Sequence, residues 1–539
     1  MLIAVAFVCC QESEPRPEPR VTRDEVAVAA KVVGLDYDAD ELELARRGVG
    51  DSLESFERLR AVDLANSVAP AFTFHARIPG IGAPKPWPAA IPRERATVVR
   101  PADLEELAFA DLATLSELVR TRQVTATELV ELSLARLKRL DPTLHCVVTL
   151  CEQRARARAA ELDRELALGQ WRGPLHGLPW GAKDLFATKG IRTTWGAPPF
   201  EQQRLEFDAA VVEKLDHAGA VLVAKLSLGE LAMGDTWFGG LTRNPWDVSK
   251  GSSGSSAGPA SATSSGCVAF AIGTETCGSI VSPSATCGVT GLRPTFGRVS
   301  RHGAMALSWT MDKVGPIART VADCATVFAA IHGADPRDES SVDAPFVDLG
   351  TVDVRGWKVG YVPGDFGDAA IEARRLKELA DLGCELVPIE LPEYPLGELF
   401  VILTSEAAAA FDQLTDRGLD AALVQQDESA WPNTFRVARL APAADYLRAC
   451  RIRRLLMLDI ARLFERVDVI VHPSLSGKWL VLENLTGNPS VCVPTELGAE
   501  GSPGSLSFTA AVFDDTRALA IAEAWQRATG FQLAHPSLR

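Results

Sequence analysis

The sequence predicts an α/β fold, and three observations lead there. From Leu112 onward, segments of helical periodicity alternate with short apolar runs. One of those runs, residues 268–272, lies between two stretches dense in Gly, Ser and Thr. It therefore reads as a short buried strand with small-residue loops at both ends. The composition is that of a soluble globular protein, with 47% hydrophobic and 23% charged residues over a chain of 539. The formal net charge of −15 argues against a nucleic-acid-binding surface of the chain's own.

Taken in order, residues 1–20 form a lead-in. The apolar run at 2–8 is too short to span a bilayer and has no basic leader ahead of it. The expected location is the cytoplasm. Export, or a lipid anchor on Cys9 or Cys10, is the alternative if the true start lies upstream. Residues 11–20, rich in Glu, Pro and Arg, are expected to be disordered. The eleven cysteines include no CxxC pair, so they read as reduced thiols rather than a disulfide framework or a zinc site.

Residues 21–105 read as a helical arm with a proline-rich linker. Thr22 and Glu25 form a capping box ahead of Val26, Ala29, Ala30 and Val33. Asp38 caps a second helix that carries Leu42, Leu44, Val49, Leu53, Phe56 and Leu59 on or near one face. Seven prolines then recur between 70 and 101, which requires an extended segment lying against something else.

Residues 106–539 read as the main domain. Thr125 and Glu128 start a helix that Asp141-Pro142 should end. A charged helix covers 154–168. A helix is expected over 207–219, a strand over 220–224, a helix over 321–331 and a strand over 357–362. Residues 395–465 are mostly helical, 467–471 form a strand, and an amphipathic helix over 516–529 closes the chain.

The stretch from Lys250 to Ser300 carries the chemistry. Small side chains let backbone approach a ligand, and two loops rich in hydroxyl and N–H groups beside one buried strand suit attack of a hydroxyl on a carbonyl. The loop Gly273-Thr274-Glu275-Thr276-Cys277-Gly278-Ser279 resembles the nucleophile loop of the amidase signature family, serine hydrolases with a Ser–cis-Ser–Lys triad. The resemblance makes Ser279 the nucleophile. The family's cis-serine lies twenty-four positions earlier, which selects Ser255 and leaves Ser252-Ser253 as a look-alike. GLPWGAKD at 177–184 supplies Lys183 as the third member. Further matching segments are VAKLSLGELAMG, NPWD, GLRPTFGRVS, MDKVGPIARTVAD and NLTGNP, so the likeness covers roughly 110–530.

The resemblance implies an amidase signature fold, a large mixed sheet sandwiched by helices with the helical arm in front. It implies cleavage of a small-molecule carboxylic amide, with an ester or carbamate as further options, through an acyl-enzyme. No cofactor, metal, direct nucleic-acid contact or membrane span is expected. Backbone N–H groups of Thr276, Cys277, Gly278 and Ser279 would form the oxyanion hole, and 395–465 would line the pocket. For Lys183 to accept the proton it must be neutral, and its apolar neighbours Leu178, Trp180, Leu185 and Phe186 make burial the means.

Cys277 reads as a small residue lining the loop, with a competing nucleophile as the alternative. His176 and His302 are candidates for substrate contact, with packing as the other reading. Val281 stands where the family commonly has Arg, which suggests a pocket for neutral or apolar substrates. The arm loosely resembles the small C subunit of the aminoacyl-tRNA amidotransferase. A glutaminase (A-type) subunit of a tRNA-dependent amidotransferase is therefore the alternative function, and a homodimer contact the alternative role for the arm.

Overall fold

The computed structural model describes residues 20–538 apart from 63, 82–84, 95–96 and 499. The apolar run 2–8, Cys9, Cys10 and nearly all of the 11–20 lead-in lie outside the described residues. The chain divides into two compact units, 1–65 with 440–442, and 66–439 with 443–539. No helix among the described residues is long and apolar enough to cross a membrane.

The smaller unit is a helix pair, Arg23–Val32 and Ala39–Arg60. Both start with a full capping box, Thr22 with Glu25 and Asp38 with Glu41. Arg20 Nη1 and Glu57 pair at 2.6 Å. Val26 and Ala30 are buried, whereas Leu44, Phe56 and Leu59 on the expected apolar face are exposed. Two helices enclose too little space to cover such a face by themselves.

The larger unit is built on one mixed sheet of eleven strands: β1 (Val147–Leu150), β2 (Pro179–Lys183), β3 (Val221–Leu226), β4 (Phe270–Glu275), β5 (Thr290–Arg293), β6 (Lys313–Ala318), β7 (Lys358–Tyr361), β8 (Glu385–Pro388), β9 (Val469–His472), β10 (Ser490–Leu497) and β11 (Pro503–Ala510). Their order is β1-β3-β2-β4-β6-β5-β10-β11-β9-β7-β8. β3, β2 and β4 run parallel, as do β9, β7 and β8, and the strands between are antiparallel. Helices Ala126–Leu144 and Glu152–Ala167 pack Leu134, Leu137 and Ala155 with Val223 and Ala271 of the sheet. Helices Val321–Ile331 and Asp515–Thr529 belong to a different core cluster. The fold is thus the mixed α/β sandwich expected from the sequence.

Two local expectations need correction. The helix that starts at Ala126 continues past Asp141-Pro142 to Leu144. The Asp141 carboxylate accepts from the amides of Cys146 and Val147, and His145 turns left-handed to end the helix. The buried strand expected at 268–272 runs instead over Phe270–Glu275, because its partners in β2 and β6 set the register. Pro179–Lys183 form strand β2, for which the sequence carried no expectation.

Candidate active site

Two parallel strands create the site. β2 and β4 are neighbours that run the same way, so both end at one edge of the sheet. Lys183 is the last residue of β2, and Glu275 is the last of β4. All five β2 residues are buried, and a Cβ on Gly181 would stand 2.2 Å from Leu226 Cδ1. The tight strand packing that buries Lys183 therefore requires glycine two residues before it.

Lys183 is fully buried, and its Nζ has four oxygen acceptors. It donates to Ser255 Oγ at 2.9 Å, Thr274 Oγ1 at 2.9 Å, Ser256 Oγ at 3.1 Å and the Thr274 carbonyl at 3.3 Å. No carboxylate pairs with it among the described residues. Burial pushes the Lys183 ammonium down to about 7, against the upward pull of Asp312 and Glu275.

Ser255 and Ser256 end the loop that opens the helix Ala257–Ser264, and the Gly254–Ser255 peptide is cis. A Cβ on Gly254 would fall 1.8 Å from the Gly234 carbonyl, so only glycine fits there. The Ser256 amide donates to the Ser279 carbonyl at 3.1 Å, which ties the two serine loops together. The look-alike pair is placed otherwise: the Ser252 hydroxyl donates to the Ser253 carbonyl and the Ser253 amide to Asp235, with no bond to Lys183.

The loop after β4 carries Ser279, which is 8% exposed and whose hydroxyl has no hydrogen-bond partner among the described residues. The amides of Thr276, Cys277, Gly278 and Ser279 likewise donate to nothing among the described residues, whereas those of Ile280 and Val281 donate to Glu275 Oε2 at 2.8 and 2.9 Å. Gly278 has a φ of +91°, the left-handed region that a side chain resists. The chain thus presents a run of free N–H groups beside a free hydroxyl.

Glu275 is the brace of this loop, a role that only its position in the motif hinted at. Beyond the two amides, it accepts from Arg293 at 2.9 Å and Asn484 at 2.7 Å. Arg293 in turn donates to Glu483 at 2.9 Å and to the Asn488 carbonyl at 3.0 Å. Burial alone would raise the Glu275 carboxyl, but Arg293 and the loop amides outweigh it and hold the group below its usual range. The GLRPTFGRVS and NLTGNP segments thereby meet behind the serine loop.

The remaining candidates separate clearly. Cys277 packs with its thiol against the Leu480 carbonyl at 3.8 Å, and burial pushes it up to about 12, so a thiolate is disfavoured. His176 is buried against the Leu162 carbonyl and Trp171, as packing requires. Val281 packs with Ala285, Cys492 and Leu480.

A cavity of about 480 Å³ lies beside Thr274 and Thr276. His302, Asp312 and Lys313 line it, and so does the segment from Ser67 to Thr73. That segment is fixed by Asn66, whose Nδ2 donates to the carbonyls of Ala306 and Ala410 and whose Oδ1 accepts from the Ala306 amide. Nothing in the sequence marked 67–73 as a wall of this cavity. Helix Val401–Ala410 stands behind the wall, where Glu406 accepts from Ser308 and Thr310. A larger cleft of about 960 Å³ is lined by Pro388–Leu396 and Lys478; neither cavity is lined by Lys183, Ser255 or Ser279 themselves, but the smaller one reaches Thr274, which accepts from Lys183, and Thr276, in the loop of Ser279.

A buried lysine is thus bonded to paired serines, with free amides and a free serine hydroxyl on the adjoining loop. The family model described as Amidase matches residues 128–519, and the chain belongs to that family. It is accordingly a C–N hydrolase or an amidotransferase. The A-type subunit of the glutamyl-tRNA(Gln) amidotransferase of Geobacillus kaustophilus is 34% identical over 476 residues, which cover 79% of this chain and 98% of that protein. Among solved structures, the native peptide amidase of Stenotrophomonas maltophilia superposes with a TM-score of 0.70 at 29% identity, over 79% of this chain and 98% of its own. An inhibitor-bound complex of an s-triazine catabolic enzyme gives 0.72 at 29% identity, over 79% and 100%.

Proposed function

We propose that the protein is a serine amidase that hydrolyses a carboxylic amide through an acyl-enzyme. The Ser279 hydroxyl oxygen attacks the carbonyl carbon while its proton passes through Ser255 to neutral Lys183. The developing oxyanion accepts from the amides of residues 276–279. Lys183 returns the proton through Ser255 to the leaving nitrogen as the C–N bond breaks, and water then hydrolyses the acyl ester by the same relay in reverse.

The observation that carries this reading is Lys183 itself. It is fully buried, has no carboxylate partner among the described residues, and lies 2.9 Å from Ser255. A lysine so placed is held near neutrality and can serve as a base. The test is turnover of simple amides by the lone chain. Ser279→Ala is expected to lower kcat by at least about 10⁴-fold, and near-wild-type turnover in that variant would contradict the reading.

A second reading has its own support, since the relatives of 34% identity are A-type subunits of the glutamyl-tRNA(Gln) amidotransferase. On that reading the amide is glutamine and the ammonia passes to a partner. Glutamine turnover that appears only with partner subunits and charged tRNA would favour it, and robust activity of the lone chain on simple amides would remove it.

A further inference from the structure

Lys313 has no part in the relay just described, yet it lines the same cavity and is 3% exposed. It is the first residue of β6 and pairs in register with Glu275, directly ahead of the loop that carries Ser279. Its ammonium has three N–H donors, but its hydrogen bond is to the Met311 carbonyl alone. Among the described residues no carboxylate forms an ion pair with it.

The two nearby carboxylates are already committed. Asp312 Oδ1 accepts from the Thr276 hydroxyl at 2.6 Å, and Oδ2 from the amides of Leu307 and Ser308 at 2.8 and 3.0 Å. Glu275 is filled by Arg293, Asn484 and two loop amides. The other cations of the cavity wall are committed as well. Arg301 donates to Asp338, Ser340 and the Trp309 carbonyl, and Arg337 to Glu213 and Asp335. Burial, with Arg293 nearby, pushes Lys313 below the ordinary lysine range, while Glu275 and Asp312 pull it upward and Arg453 adds to the repulsion. A carboxylate arriving beside Lys313 would supply the missing acceptor and favour its ammonium form.

We propose that Lys313 anchors a carboxylate of the substrate, so that the protein selects amides that carry an acid group away from the scissile bond. This rests on the amide-hydrolase reading and adds the substrate class to it. Lys313 is a binding residue here and takes no part in proton transfer.

The test uses two matched pairs of amides. Glutaric acid mono-p-nitroanilide against pentanoic p-nitroanilide places the acid on the acyl side. 4-Butyramidobenzoate against butyranilide places it on the amine side. In the wild type, kcat/KM is expected to favour the acid-bearing member of one pair by at least about tenfold, the size of a charge-assisted hydrogen bond. Lys313→Met is expected to cut that ratio by at least about tenfold, mainly through KM, and Lys313→Arg to retain part of it. A wild-type ratio near unity or favouring the neutral member in both pairs would overturn the proposal without need of any variant. A ratio undiminished in Lys313→Met would overturn it equally. Cleavage that persists in Ser279→Ala would instead overturn the hydrolytic reading, whatever the ratio.

Discussion

On the proposed mechanism Lys183 must be uncharged to take a proton; it is fully buried and no carboxylate among the described residues pairs with it. Its ammonium form is pushed down to about 7, so the fraction of active base increases as pH rises through that value. The acylation rate is expected to climb with pH across about 7, and a pH profile of single-turnover acylation checks it. The same shift acts on stability. The unfolded state holds this proton up to the ordinary value of 10.5 while the folded state has released it, so between about 7 and 10.5 the unfolded state binds more protons. Stability relative to Lys183→Met is therefore expected to rise with pH across that window, as Tm measured for both proteins at several pH values will show.

At the scale of elements, the serine loop owes its shape to charges buried behind it. Glu275 holds the amides of Ile280 and Val281, while the four preceding amides have no acceptor among the described residues. Glu275→Ala would strand Arg293, which is fully buried, with Glu483 as its remaining carboxylate partner. We expect a loss of about 3–5 kcal/mol of stability by denaturant titration, together with loss of Ser279 reactivity; a loop that stays reactive would show that the brace is dispensable. The motif residues of this loop were legible in the sequence because Ser255, Gly278 and Ser279 stand at the spacing of the family's motif. Strand β2 was not, because Pro179, Trp180, Gly181 and Ala182 carry neither alternation nor β-branched side chains. An interior parallel strand is covered on both faces and needs neither.

At the scale of the whole molecule, the cavity is assembled from parts far apart in sequence. Asn66 bonds residues 240 and 344 positions away and fixes the segment that walls the cavity. Asn66→Ala is expected to raise KM several-fold, about 1 kcal/mol per lost hydrogen bond, with a smaller change in kcat; steady-state kinetics on one amide decides this. The sequence showed that the proline-rich segment must lie against something, but proline rigidity does not say against what. Lys313 escaped notice for a similar reason. Its significance lies in the carboxylates around it already having donors, which only the three-dimensional arrangement reveals. The α/β alternation, by contrast, was legible from Leu112 onward because each helix and strand must bury one face on a common sheet.

The most direct measurement is peptide mapping by mass spectrometry after exposure of the purified chain to a fluorophosphonate. The expected result is a single adduct on Ser279 that is absent from Lys183→Met. No adduct, or an adduct on Cys277, would contradict the account of a serine activated by a buried lysine.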